Sequence, residues 1–180
     1  MSITPGTHKL GPDNGTLTVN TGRSGAAAKA GHDLTIHVNA WEATLTIGED
    51  PSQSSLTLDA DADSLSVVEG VGGIQALGDD DKKNIKKTID DDVLKRESIQ
   101  FRSTSVQADD NGKLSVQGDL TLRGKTNPIT FHLAVSDDGK VNGSAVVKQT
   151  DFKMKPYSAL FGALKVADEV TVAIQECSLS

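Results

Sequence analysis

GDLTLRGKTNPITFHLAV, residues 118–135, carries apolar side chains on every second position on both sides of RGKTNP: Leu120 and Leu122 before it, then Ile129, Phe131, Leu133 and Val135 after it. Successive side chains of a strand point to opposite faces, so the two runs read as β-strands with one apolar face each, joined by a Gly/Asn/Pro turn. Two such faces side by side need an apolar interior behind them.

The same period spreads outward from this hairpin. In GAAAKAGHDLTIHV (25–38) the even positions Ala26, Ala28, Ala30, His32, Leu34, Ile36 and Val38 form the mostly apolar set. After Asn39-Ala40 the phase slips by one, to Trp41, Ala43, Leu45 and Ile47, which requires a bulge or tight turn at that point. Shorter alternating runs follow near 56–62, 99–101, 114–116, 141–147 and 170–174, and DDNG (109–112) and DDG (137–139) supply hairpin turns. About eight or nine strands with few crossover helices predict an all-β, mainly antiparallel sheet.

Residues 79–95, DDDKKNIKKTIDDDVLK, break the alternation. Ile85, Ile89 and Val93 recur at spacings of four, acids open the segment and a lysine closes it, which predicts one amphipathic helix inserted in the sheet. A second short helix or a lid is expected in PYSALFGALK (156–165). The chain, 180 residues with 36% hydrophobic and 24% charged, reads as one domain over 1–180. Only six residues are aromatic, and many apolar-face positions are Ala, Gly or Val. Small inward side chains suit a closed barrel with a cavity, and they equally suit a tight sandwich.

The net charge of −7 argues against a nucleic acid or an anionic membrane surface as partner, since both attract cationic patches. Residues 59–97, with eleven acids and six bases, supply −5 of it, so one segment is an exposed acidic insertion. The opening MSITPGTHKLGP lacks a basic region followed by an apolar run, and no stretch approaches the roughly 18 apolar residues of a membrane span. With a single cysteine, Cys177, the expectation is a cytoplasmic protein without an integral membrane segment.

Motifs for cofactor chemistry fail on spacing. Gly118 and Gly124 have five residues between them where a P-loop needs four, and Pro128 leads into a strand instead of a helix. DADADS (59–64) places Ser64 and Gly70 where a calcium loop needs Gly and Glu. No pair of the four histidines has metal-ligand spacing. No cofactor is expected. His32 differs from the other histidines in sitting on the apolar phase of its run, as a hydrogen-bonded core residue or as a polar anchor in a cavity.

Several segments together resemble the YceI family of lipocalin-like, polyisoprenoid-binding proteins: SLTLDADADSL (55–65), SIQFRSTSV (98–106), VQGDLTLRGKTNPITFHLAV (116–135) and TDF (150–152), in that order. The resemblance implies an antiparallel eight-stranded lipocalin-like β-barrel around an elongated apolar cavity, with a long-chain isoprenoid or fatty-acyl lipid inside and no catalytic apparatus. On that basis Leu34, Ile36, Trp41, Leu120, Leu122, Phe131 and Leu133 are expected to point inward. Ala28, Ala30, His32, Trp41 and Phe101 are expected to line the tunnel. DFKMKPYSALFGALK (151–165) gathers Phe152, Met154, Tyr157, Leu160 and Phe161 among lysines, as either a plug or a lid over the ligand. Two other readings stay open: a filled barrel that binds a protein partner through the acidic helix of 79–95, and an enzyme using His32 or Asp33; a homodimer is open as well.

Overall fold

The structure, a computed structural model, describes residues 4–109, 111–159 and 164–179. Its main sheet runs through β1 (Gly6–Leu10), β2 (Thr16–Asn20), β4 (Asp33–Val38), β5 (Trp41–Ile47), β6 (Ser55–Ala60), β7 (Leu65–Val71), β8 (Ile99–Ala108), β9 (Lys113–Leu122), β10 (Lys125–Val135), β11 (Lys140–Lys148) and β14 (Glu169–Ser178). A three-stranded sheet joins β3 (Arg23–Ser24), β13 (Leu164–Val166) and β12 (Ser158–Ala159). The opening hairpin is β9 and β10, paired without interruption from Lys125↔Leu122 to Ala134↔Lys113.

The eleven strands of the main sheet pair in the order β1-β5-β6-β8-β9-β10-β11-β14-β2-β4-β7, all antiparallel where adjacent. Read along the chain, β1 with β2, β4 with β5 and β6 with β7 are each one stave bent in the middle. Leu10 pairs with Ala43 and Thr18 with His37, so the first bent stave lies against the second along its whole length. The second lies likewise against the third, through Trp41↔Ala60 and Val38↔Leu65. Eight staves result, and the pairing of β14 with β2 (Ala173↔Thr18) returns the last to the first. The antiparallel barrel is closed, as the family resemblance implied. The phase slip at Asn39-Ala40 is the bend of the second stave, stapled by Asn39 N–H donating to Ser64 O and Asp61 N–H to Ala40 O.

Up-and-down order puts all turns at two ends. Short turns, 48–54, 109–112 and 136–139, close one end; at the other lie the connections 21–32, 72–98 and 149–168. The interior near the short turns is solid: Leu45, Leu114, Val116 and Val141 are fully buried there.

Two local expectations are corrected. Residues 26–32 are not strand: Ala28–Ala30 form a 3-10 turn, with Gly31 N–H donating to Ala28 O, and the strand starts at Asp33. Alanine supplies the alternation but little of the branched surface that holds a strand in a sheet. In 156–165, where a short helix or a lid was expected, the described residues form no helix but β12 and β13, paired through Ala159↔Leu164.

Helix α1 (Asp79–Thr88) forms where the four-residue spacing predicts it, and continues as a wide π turn over Ile89–Val93, with Leu94 N–H donating to Ile89 O at 2.8 Å. Asp81 accepts from Gly78 N–H at the start, and Lys86 and Lys87 stand near the end, in accord with the helix dipole. β6 pairs with β8 up to Ala60↔Ile99 and β7 has no partner on that side, so the two staves diverge. The α1 segment packs on β7 in that wedge, where the Lys86 ammonium donates to Asp63 O.

Candidate functional site: an apolar cavity in the mouth half of the barrel

Toward the long connections the barrel is hollow. The cavity measures about 480 Å³, within the range of small-molecule sites. Every stave contributes to it, with Leu34, Leu58, Leu122, Ile129, Val147 and Val172 spread around its wall. Ile85, Ile89 and Val93 close the wedge between β7 and β8, so the three residues that predict the helix are also its cavity face. The rings of Phe101 and Phe131 meet with centroids 5.4 Å apart and planes tilted by 58°, an edge-to-face type of contact that sets the floor.

Among the described residues, none that lines the cavity is charged. Its polar residues are few: Thr21, whose Oγ1 accepts from Leu34 N–H, Asn84 and Thr88 on one face of α1, Ser144 in β11, Gln149, and Tyr157. Gln149 is buried, and its Nε2 donates to Ala167 O at 3.1 Å. That bond uses one amide hydrogen and leaves the carboxamide with a further donor and its acceptor. Tyr157 is half exposed and stands at the edge of the opening.

The mouth connection 149–168 is clasped at its base. Thr150 donates to the Asp168 carboxylate through Oγ1 at 2.6 Å and through its backbone N–H at 2.9 Å. The Thr150 hydroxyl contributes most to holding the Asp168 carboxyl below its ordinary pKa. β10 and β11 are paired only from His132↔Ser144 to Val135↔Val141; nearer the mouth the turn Gln149–Phe152 stands beside β10, with Asn127 Nδ2 donating to Asp151 O.

Of the site residues expected from sequence, Phe101 and Tyr157 line the cavity. Ala28 and Ala30 lie in the 3-10 turn at the rim, outside the lining. His32 also stands outside it, because its Nε2 lies 2.6 Å from Gln75 O and ties the first connection to the second. Trp41 is buried beside the bend of its stave without reaching the cavity. Phe152 is almost fully buried in the turn that follows β11, as packing beneath the mouth. Leu160 and Phe161 lie outside the described residues. Lys153, Lys155 and Lys165 are exposed and none lines the cavity. Sequence reading missed Asn84, Thr88 and Gln149. Asn84 and Thr88 precede Ile85 and Ile89 by one residue each, so their own four-residue spacing was an available signal. Gln149 sits just past a strand end and has no such signature.

The family model of the YceI-like domain matches residues 14–176. The chain belongs to the YceI-like family. Its fold is similar to the crystal structure of BcnA from Burkholderia cenocepacia, at 19% identity and a TM-score of 0.61, covering 88% of this chain and 93% of that one. It is also similar to the Campylobacter jejuni YCEI protein, at 16% identity and a TM-score of 0.52 over 78% and 81% of the two chains. A polyisoprenoid binding domain from Saccharophagus degradans, implicated in plant cell wall breakdown, aligns over 96% of this chain and 99% of its own, at 9% identity and a TM-score of 0.51. No curated protein matches the chain. Among the described residues of this YceI-like protein, no helix is long and apolar enough to cross a membrane.

Proposed function

We propose that this YceI-like protein is a non-enzymatic carrier of one long-chain apolar molecule whose polar end is uncharged. The observation that carries the reading is the lining: apolar on every stave, without an ionisable side chain except the half-exposed Tyr157 phenol. An ionised carboxylate drawn into such a wall would lose its hydration with no cation to replace it. A hydroxyl, ketone or amide needs only one or two hydrogen bonds, which Gln149, Asn84 and Tyr157 offer. Each buried methylene contributes about 0.8 kcal/mol before the costs of association, so a chain that fills the cavity binds without a strong polar anchor. The polyisoprenoid-binding description of the Saccharophagus degradans relative agrees with an isoprenoid chain.

The test is a titration of delipidated protein with geranylgeraniol and with palmitate, at a pH where palmitate is ionised. Stronger binding of the alcohol is expected. Preference for palmitate, or failure of both to bind, overturns the proposal. Native mass spectrometry of gently purified protein identifies what the cell loads into the cavity.

A further inference from the structure

The total charge of the chain conceals a polarity along the barrel axis. The described residues of the three short turns at the solid end include Glu49, Asp50, Asp109, Asp137 and Asp138 and no base. At the mouth, connection 21–32 carries Arg23 and Lys29, of which Arg23 is paired with Asp33 at the start of β4 at 3.1 Å, and the β9–β10 turn adds Arg123. Connection 149–168 carries Lys153, Lys155 and Lys165 against Asp151 and Asp168. The α1 connection, 72–98, is nearly balanced at seven acids to six bases. The mouth is therefore net positive while the opposite end is strongly negative.

The same end exposes apolar side chains. Ile74 is 82% exposed and Val71 56% exposed, both at the top of the third stave, and Tyr157 is 49% exposed. They belong to one continuous rim: a Cβ on Gly72 would touch the Arg23 guanidinium, Arg23 lies in β3, β3 pairs with β13, and β13 with β12, which follows Tyr157. Basic side chains around protruding apolar ones, at the end where the cavity opens, form a surface complementary to lipid headgroups with acyl chains beneath them.

We infer that the mouth end docks on an anionic bilayer, with the lysines of 149–168 against the headgroups and Ile74 in the interfacial layer. The field of the whole molecule then turns its acidic end away from the surface and presents the opening to the membrane. The docking serves the carrier function proposed above, and its test stands apart from that reading.

Full-length, delipidated protein is mixed with sedimentable vesicles of phosphatidylcholine alone, or of phosphatidylcholine and phosphatidylglycerol in equal parts. Association with the anionic vesicles alone is expected, and salt should weaken it. Lys153→Glu with Lys155→Glu should lower partitioning by at least about fivefold per lysine. Ile74→Asp should lower it as well; all three side chains are exposed, and an unchanged thermal midpoint verifies the fold of each variant. Asp137→Asn with Asp138→Asn, at the far end, should not lower it. Association with neither vesicle, equal association with both, or wild-type partitioning of the lysine variant overturns the inference. Ala145→Trp, which fills the cavity, separates the two proposals: it should abolish geranylgeraniol binding and leave vesicle association unchanged. Failure of wild-type protein to bind geranylgeraniol while it still associates with anionic vesicles would refute the carrier reading and leave docking standing.

Discussion

Gly118 lets the Phe101 ring lie across the neighbouring stave: a Cβ on Gly118 would stand 2.5 Å from Phe101 Cζ and 2.5 Å from Arg102 O. The ring that floors the cavity thus occupies space that another residue's side chain would fill. Gly118→Ala should destabilise the barrel by about 1–3 kcal/mol in denaturant unfolding. Adding Phe101→Leu should recover only part of the loss, because Arg102 O is backbone and cannot move aside independently.

The hollow and solid halves of the barrel should respond differently to truncation. Leu114→Ala, in the fully buried end, is expected to cost about 2–5 kcal/mol, whereas Phe131→Ala, facing a space already empty, should cost less than about 3 kcal/mol. Chemical denaturation of the two variants checks the order, and a larger loss for Phe131→Ala would show that its ring is packed as tightly as the solid core.

The wide turn after α1 holds a buried carboxylate. Asp90 is 5% exposed; its Oδ2 accepts from Lys86 Nζ at 3.0 Å, while Oδ1 has no hydrogen-bond partner among the described residues. Lys86→Met should destabilise by about 1–3 kcal/mol, the usual cost of an unsatisfied buried group, since Lys86 is itself partly exposed. Adding Asp90→Leu should return much of that stability. A double-mutant cycle measures the coupling, and additive losses would disprove it.

Asp168 makes the mouth clasp sensitive to acid. Its carboxyl titrates below the ordinary value in the folded protein, chiefly because the Thr150 hydroxyl donates to the charged form. The resulting stability is present above the ordinary carboxyl pKa, near 4, and is lost as pH falls through the lower folded value. Thermal midpoints of wild type and Asp168→Asn should therefore converge below about pH 4 and separate above it. A constant gap across the range would remove the clasp from the explanation.

Cys177 should be chemically silent. It is fully buried, a Cβ on Gly15 would fall 2.0 Å from its sulfur, and burial raises its thiol pKa. Iodoacetamide should label it only after unfolding, and rapid labelling of native protein would contradict the packing.

The staves were legible because one buried face forces a period of two, and the helix because Ile85, Ile89 and Val93 have a buried surface of their own to satisfy. Residues 26–32 misled because alanine and glycine mimic alternation without specifying a strand. Phe101 and Tyr157 could be placed from residue type and family resemblance. Whether Trp41 or Ala43 reaches the cavity depends on how the stave turns past its bend, and this depends on neighbours some twenty residues away, such as Ala60. Gln149 was hidden for a similar reason: its partner, Ala167 O, lies across the whole mouth connection.

The return of β14 to β2 has a consequence for how the chain is made. Each earlier pairing joins staves adjacent in sequence, but Ala173↔Thr18 and Val172↔Val19 join the two extremes. On the ribosome, seven staves are complete before residues 169–178 emerge, and their common apolar face stays uncovered along one seam. A chaperone that recognises extended apolar segments therefore has a defined interval in which to act, ending when the eighth stave reaches the first. Truncation before Glu169 would make that interval permanent and leave the apolar seam open to aggregation.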